Sequence, residues 1–301
     1  MAVLTAVAMP VSPDDKAGNL AKIEEYIVQA ARQNADLIVF PEMALTGLPK
    51  NPMMIFSSDD AAYQHKVAEL VPEGPGTQRL VELAMEHDLY IVWGMAEQSG
   101  ERFDVLYNTV VIVGPEGYLG KYRKVHQPLT ERIMFYSGDG SYPVFETRFG
   151  KVGLMCCFDK AYPEVARTLC LKGAEILVCP TAWPSIEPNE DDNDYKAGNV
   201  FSFARALENM VFFIDSCVSG TYEMGHSRII GPNPMQICAT TAFDEGIAVA
   251  DVDVEGEILK ARIYAMAGSD LLKDRKPATY GELAKPNPYN PMSGDIGQFL
   301  D

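Results

Sequence analysis

Ala35-Asp36-Leu37-Ile38-Val39-Phe40-Pro41 and Ala174-Glu175-Ile176-Leu177-Val178-Cys179-Pro180 are two versions of one pattern: a small residue and an acid lead into four apolar residues closed by proline. Each follows a helix-like stretch that itself follows an apolar strand-like run, so two β-α-β halves are implied. The apolar residues do not alternate with polar ones, which suits strands buried on both faces. Two sheets packed face to face with helices outside meet that condition better than one open sheet. The expected fold is α/β, a four-layer αββα sandwich.

Working outward, strands are expected at Val3–Met9, Leu37–Phe40, Tyr90–Ala96, Asn108–Val113, Tyr118–Val125, Lys151–Cys156, Ile176–Cys179, Val211–Ser216, Ser227–Gly231 and Gly246–Val252. Helices are expected at Ala17–Gln33, Ala61–Leu70, Thr77–Glu86, Pro163–Lys172, Val200–Asn209 and Val254–Tyr264. Gly114-Pro115-Glu116-Gly117 is a turn signal between two of the strands, so they form an antiparallel hairpin and the sheet is mixed. No low-entropy linker separates the halves, so residues 1–269 are expected to form one domain. From residue 270 to 301 periodicity fades and Pro277, Pro286, Pro288 and Pro291 accumulate, the pattern of an extended tail lying on a surface, with a partner subunit as one docking place.

The 301 residues carry 42 Asp plus Glu against 25 Lys plus Arg, a net charge of −17, which repels phosphate backbones and anionic membranes. No apolar stretch approaches the ~20 residues that span a bilayer. Met1 to Val11 lacks a basic leader and reads as a first strand, so a cytoplasmic protein is expected. Five of the six cysteines lie in or beside apolar strand-like runs and Cys170 in a helix-like one, which favours free thiols over bridges. His65, His87, His126 and His226 show no metal-ligand spacing, so no cofactor or metal is expected.

Chemistry concentrates in Lys151-Val152-Gly153-Leu154-Met155-Cys156-Cys157-Phe158-Asp159-Lys160-Ala161-Tyr162-Pro163-Glu164. An apolar strand ends at a cysteine, a polar turn follows, and proline starts a helix. Open α/β folds place ligands at such strand ends, and the turn offers free N–H groups that lower a thiol pKa and bind an oxyanion. Strand alternation puts Cys156 and Cys157 on opposite faces, with Cys157 the better nucleophile and Cys156 a packed, inert thiol. Two further polar residues close buried runs. Glu42 follows Leu37 to Pro41, where burial raises a carboxyl pKa and suits it to proton transfer; Lys124 ends the second arm of the hairpin. Taken singly, each has a plainer reading: a core thiol, a cap acid, a solvated lysine.

Together the segments Phe40-Pro41-Glu42-Met43-Ala44-Leu45-Thr46-Gly47, Lys121-Tyr122-Arg123-Lys124-Val125-His126 and Cys157-Phe158-Asp159-Lys160-Ala161-Tyr162-Pro163-Glu164 resemble the Glu, Lys and Cys motifs of the nitrilase superfamily of carbon–nitrogen hydrolases. The resemblance extends to Gly173–Trp183 and to Gly225-His226-Ser227-Arg228-Ile229-Ile230-Gly231-Pro232. It implies an αββα sandwich assembling into homodimers or larger homo-oligomers. It also implies Glu42 as general base, Lys124 as the cationic member, Cys157 as nucleophile, the Phe158 N–H as oxyanion donor and Glu131 as a loop-borne supporting acid. Lys160, Tyr162, Trp183 and His126 are candidates for the substrate pocket.

Within the superfamily, Cys157-Phe158-Asp159 is closer to the Cys-Tyr-Asp of amidases and N-carbamoyl amidohydrolases than to the Cys-Trp-Glu of nitrilases. The expected reaction is hydrolysis of a small-molecule amide or N-carbamoyl group to acid and ammonia through a cysteine thioester. The alternatives are a nitrile substrate and a catalytically silent binding scaffold. Amino-acid carbamoylases carry adjacent arginines shortly after the nucleophile, where this chain has Lys160 and Ala161; Pro232-Asn233-Pro234 also replaces a Pro-x-Gly turn. A thiol-redox protein built on the Cys156-Cys157 pair is disfavoured, because adjacent cysteines close only a strained ring.

Overall fold

The computed structural model describes residues 1–50, 57–185, 189–220, 223–233, 236–264 and 268–285. Its strands are β1 (Ala2–Ala8), β2 (Leu37–Val39), β3 (Tyr90–Gln98), β4 (Leu106–Gly114), β5 (Gly117–Arg123), β6 (Val144–Thr147), β7 (Gly150–Leu154), β8 (Ile176–Thr181), β9 (Phe212–Cys217), β10 (Ser219–Gly220), β11 (Glu223–Met224), β12 (Arg228–Ile230), β13 (Gln236–Ala239) and β14 (Gly246–Val252). The helices are α1 (Lys16–Ala31), α2 (Ser58–Val67), α3 (Pro75–His87), α4 (Glu131–Met134), α5 (Pro163–Leu171), α6 (Asn193–Asn209) and α7 (Val254–Tyr264).

Two six-stranded sheets result, ordered β14-β1-β2-β3-β4-β5 and β13-β12-β9-β8-β7-β6. The two sequence echoes become equivalent strands: β2 lies parallel between β1 and β3, and β8 parallel between β7 and β9. Alternation then sorts their side chains. Leu37 and Val39 meet Ile176 and Val178 in the layer between the sheets, while Ile38 packs outward with Ile23 and Ile27 of α1 and Leu177 with Val165 and Leu169 of α5. These are the four layers expected, α/β/β/α. Hydroxyls stitch the sheets at one end, where Ser216 Oγ donates to Val7 O at 2.6 Å and Val39 O at 2.8 Å. The hairpin forms as read, β4 pairing antiparallel with β5.

The differences are local. α6 starts at Asn193 rather than Val200, because the Asp192 side chain accepts from Asp194 N and the helix gains two polar turns that carry no apolar periodicity. β6 and β13 are edge strands that the apolar pattern did not mark. Within the tail, 268–285 contains short 3-10 turns at Pro277–Thr279 and Gly281–Ala284 and is mainly exposed, with Leu272 packed against the α5/α6 layer. Pro234, Pro286, Pro288 and Pro291 lie outside the described residues. Among the described residues no helix is long and apolar enough to cross a membrane.

Candidate active site

Glu42, Lys124 and Cys157 each follow the end of a strand, β2, β5 and β7 respectively, and the sandwich brings those ends together. Glu42 depends on a close backbone approach. A Cβ on Gly94 of β3 would sit 2.5 Å from Met43 N and 2.7 Å from Glu42 Cα, so only glycine lets the loop after β2 lie on β3. Lys124 N donates to Asn108 O at 2.8 Å and its carbonyl accepts from Gly138 N at 2.9 Å, which locks the residue just past β5. Cys157 begins a 3-10 turn, Cys157–Ala161, with φ of +43°, a conformation uncommon for a residue with a side chain.

The ammonium of Lys124 donates to Glu42 Oε1 and to Glu131 Oε2, both at 2.7 Å. The amide of Asn108 on β4 donates to the same Glu42 Oε1 and to the other Glu131 oxygen, Oε1, again at 2.7 Å each. Glu42 Oε2 accepts from Ala182 N at 2.9 Å, and Cys157 Sγ lies 3.5 Å from Ala182 O. Two carboxyls therefore share one ammonium in a fully buried place. Burial pushes the Glu42 carboxyl up, but Lys124, Cys157 and Asn108 together bring it below its ordinary value. Burial dominates at Glu131, which rises to about 7 despite Lys124, with the Glu42 charge adding to the rise. Burial pushes Lys124 down, yet the two carboxylates hold it well above the usual lysine range. The Cys157 thiol is pushed well up by burial and by Glu42, against the pull of Lys124 and Lys160.

These groups open onto one cavity of about 560 Å3, whose apolar wall includes Phe158, Tyr162, Trp183 and Pro128. Of the expected pocket residues, Tyr162 and Trp183 are therefore in place. His126 is not part of the wall: it stacks on Tyr162 with ring centroids 3.9 Å apart and bonds Asp159 Oδ1 at 2.8 Å, supporting the wall from behind. Lys160 is corrected more strongly. It is 0% exposed, turned away from the cavity and paired with Asp215 at 2.8 Å, because the 3-10 turn points it into the β9 layer. The placement of Cys156 on the opposite face is also overturned. Its Sγ donates to Glu42 Oε1 at 3.4 Å, since the strand ends at Leu154 and alternation stops before the thiols. Glu131 is the first residue of the short helix α4 rather than part of a loop. Asn108 was missed, although a lone amide in the apolar run of β4 is a signal that could have found it.

Asp159 explains how the turn is held. Its carboxylate accepts from Tyr122 Oη at 2.8 Å, Cys156 N at 3.0 Å and His126 N at 3.2 Å, so it braces the nucleophile's backbone and does not face the cavity. Among the described residues no cluster of His, Cys, Asp and Glu is arranged to hold a metal ion, and all six cysteines are free.

This fold and buried Glu-Lys-Cys arrangement define a carbon–nitrogen hydrolase. Residues 4–258 match the family described as "Carbon-nitrogen hydrolase", and the chain belongs to that family and to the nitrilase superfamily of hydrolases. It is 35% identical over 272 residues to a nitrilase of Pyrococcus abyssi, covering 87% of this chain and 92% of that protein. It is 30% identical to a citrullinase of Francisella tularensis, covering 90% and 94%. Its fold resembles that of an amidase from Nesterenkonia sp. AN1, solved as a variant with acrylamide added at the active-site cysteine; the TM-score is 0.72 at 20% identity, over 94% of this chain and all of that one.

Proposed function

We propose that this enzyme hydrolyses a small-molecule amide or N-carbamoyl compound to acid and ammonia through a thioester on Cys157. The observation that carries the reading is the pair of carboxyls, Glu42 and Glu131, sharing Lys124 beside that thiol. An amide presents N–H donors that these acids and the Ala182 carbonyl accept, whereas a nitrile presents none. The Cys157-Phe158-Asp159 segment points the same way, by resemblance.

Cys157 Sγ attacks the carbonyl carbon while Glu42 takes the thiol proton, and the oxygen that gains the electron pair faces the Lys124 ammonium and the Phe158 N–H. Losing one such donor costs about 3 kcal/mol in the barrier. The C–N bond then breaks, Glu42 returns the proton to the departing nitrogen, and ammonia leaves. Glu42 next removes a proton from water, which attacks the thioester; the acid departs and the thiol regains its proton. Glu131 holds Lys124 and the substrate nitrogen without transferring the proton itself. The chain acts as a single catalytic unit over residues 1–269, in the cytoplasm and as a homo-oligomer.

Ammonia release from a panel of simple amides, ω-amides, N-carbamoyl compounds and nitriles tests the reading. Turnover of amides or carbamoyl compounds with inert nitriles is expected; nitrile-only turnover replaces it with the nitrilase reading, and the named relative in Pyrococcus abyssi gives that reading its weight.

A further inference from the structure

The mechanism uses neither Lys160 nor the charged cluster it belongs to. Lys160 Nζ and Arg228 Nη2 both approach Asp215 Oδ2, at 2.8 and 3.4 Å, and all three side chains are fully buried. The Asp215 carboxylate also accepts from Thr181 Oγ1 at 2.7 Å and Ser202 Oγ at 2.6 Å, and its pKa falls to about 2. Two cations thus share one anion. Arg228 Nε and Nη1 have no hydrogen-bond partner among the described residues, where its ion pair is with the same Asp215. A buried surplus of positive charge is costly unless something nearby is negative when it matters.

The position of Lys160 identifies that something. It lies three residues beyond Cys157 in the same 3-10 turn, and its ammonium stands 4.8 Å from the ring centroid of Trp183, a wall of the cavity. On the other sheet the counts are reversed, with Glu42 and Glu131 sharing Lys124. Attack by Cys157 places further negative charge beside those two acids. We propose that Lys160 is a positioning residue: with Arg228 it brings two positive charges to the single Asp215 carboxylate, and the net charge that remains offsets the second glutamate and supports the anionic form of Cys157. The charged and titratable groups that act on the Cys157 thiol are Glu42 and Lys124 from the first sheet, Cys156 beside it, Cys179 from β8, and Lys160 from its own turn, behind the cavity wall. Of the two cations, Lys124 is already shared by two acids.

The inference rests on Cys157 being the nucleophile, and the test separates the two ideas. Iodoacetamide labelling of Cys157 is followed by peptide mass mapping from neutral to alkaline pH, with circular dichroism as the check on folding. In Lys160→Met the labelling profile moves to higher pH by about one unit, a roughly tenfold slower reaction at neutral pH, and kcat falls while KM changes little. Arg228→Met lowers the same surplus without touching the turn and shifts the profile upward by less. A folded Lys160→Met protein with the wild-type profile overturns the inference; should that variant not fold, an unshifted Arg228→Met profile does so. Wild-type protein that is not labelled at Cys157 at all overturns the nucleophile assignment first.

Discussion

Two buried charge clusters meet at the turn that carries Cys157, and they are near opposites. In the first, Glu42 and Lys124 hang from strand ends of one sheet, Glu131 reaches in from α4, and the group opens onto the cavity; in the second, Lys160 of the turn is buried against Asp215 and Arg228 of the other sheet. Once Glu131 is ionised, one has an acid too many and the other a base too many. The difference teaches how a low-dielectric site can hold a second carboxyl beside a thiol that must become an anion: the excess is offset across the turn rather than within the cluster.

With the general base left in place, the most damaging way to disturb the first cluster is to remove the acid that makes it unequal. Glu131→Gln leaves the Asn108 amide facing a neutral group and frees Lys124 from one of its two partners. Amide turnover is expected to fall at least about 100-fold with the fold intact, in keeping with the loss of one preorganised polar group. Wild-type kinetics in this variant would reduce Glu131 to a piece of cavity wall.

A smaller loss is expected from a change that leaves every charge in place. Gly94→Ala pushes a methyl group against the backbone of Glu42 and Met43, so the carboxylate moves relative to Cys157. Overpacking of this kind costs about 1–3 kcal/mol of stability. kcat should drop more than thermal stability does, and equal, small changes in both would show that the approach of β3 does not set the base.

The smallest effect separates the clusters by pH. Glu131 holds its proton up to about 7 in the folded chain, above the ordinary carboxyl value of 4.5. Between those values the folded state binds a proton that the unfolded chain has released, so this group makes stability fall as pH rises through that window. Asp215 behaves in the reverse sense: its carboxyl is depressed to about 2, so its contribution is present above the ordinary value of 3.8 and is lost only as pH falls toward 2. Denaturant titrations of wild type and Glu131→Gln should diverge in slope between about pH 4.5 and 7 and run parallel at more acidic pH. Parallel curves throughout would contradict the raised Glu131.

How much of this was legible in the sequence follows from where each signal resides. The paired runs ending at Pro41 and Pro180 announced their sheets, because strands buried on both faces must be apolar throughout. Glu42, Lys124 and Cys157 stood out as polar residues at the ends of such runs. Cys156 was misplaced because strand alternation was carried past Leu154, into a stretch where Cys157 takes a positive φ and the chain turns in a 3-10 helix; Lys160 was placed at the pocket by resemblance, and the same turn carries it to Asp215 instead. Backbone of that kind has no periodicity to read. Asp215 and Arg228 sit far from Lys160 in the chain, so a charge balance among them exists only once the second sheet has formed.

The central claim is that Cys157, and not its neighbour, forms the covalent intermediate. Both thiols reach the Glu42 neighbourhood, so proximity to the base does not separate them; only Cys157 lines the cavity. Intact-mass and peptide mapping after exposure to a substrate-like electrophile such as acrylamide decides it. A single adduct on Cys157, absent from Cys157→Ala and retained in Cys156→Ala, is the predicted result. An adduct on Cys156 with Cys157 unmodified would contradict the account.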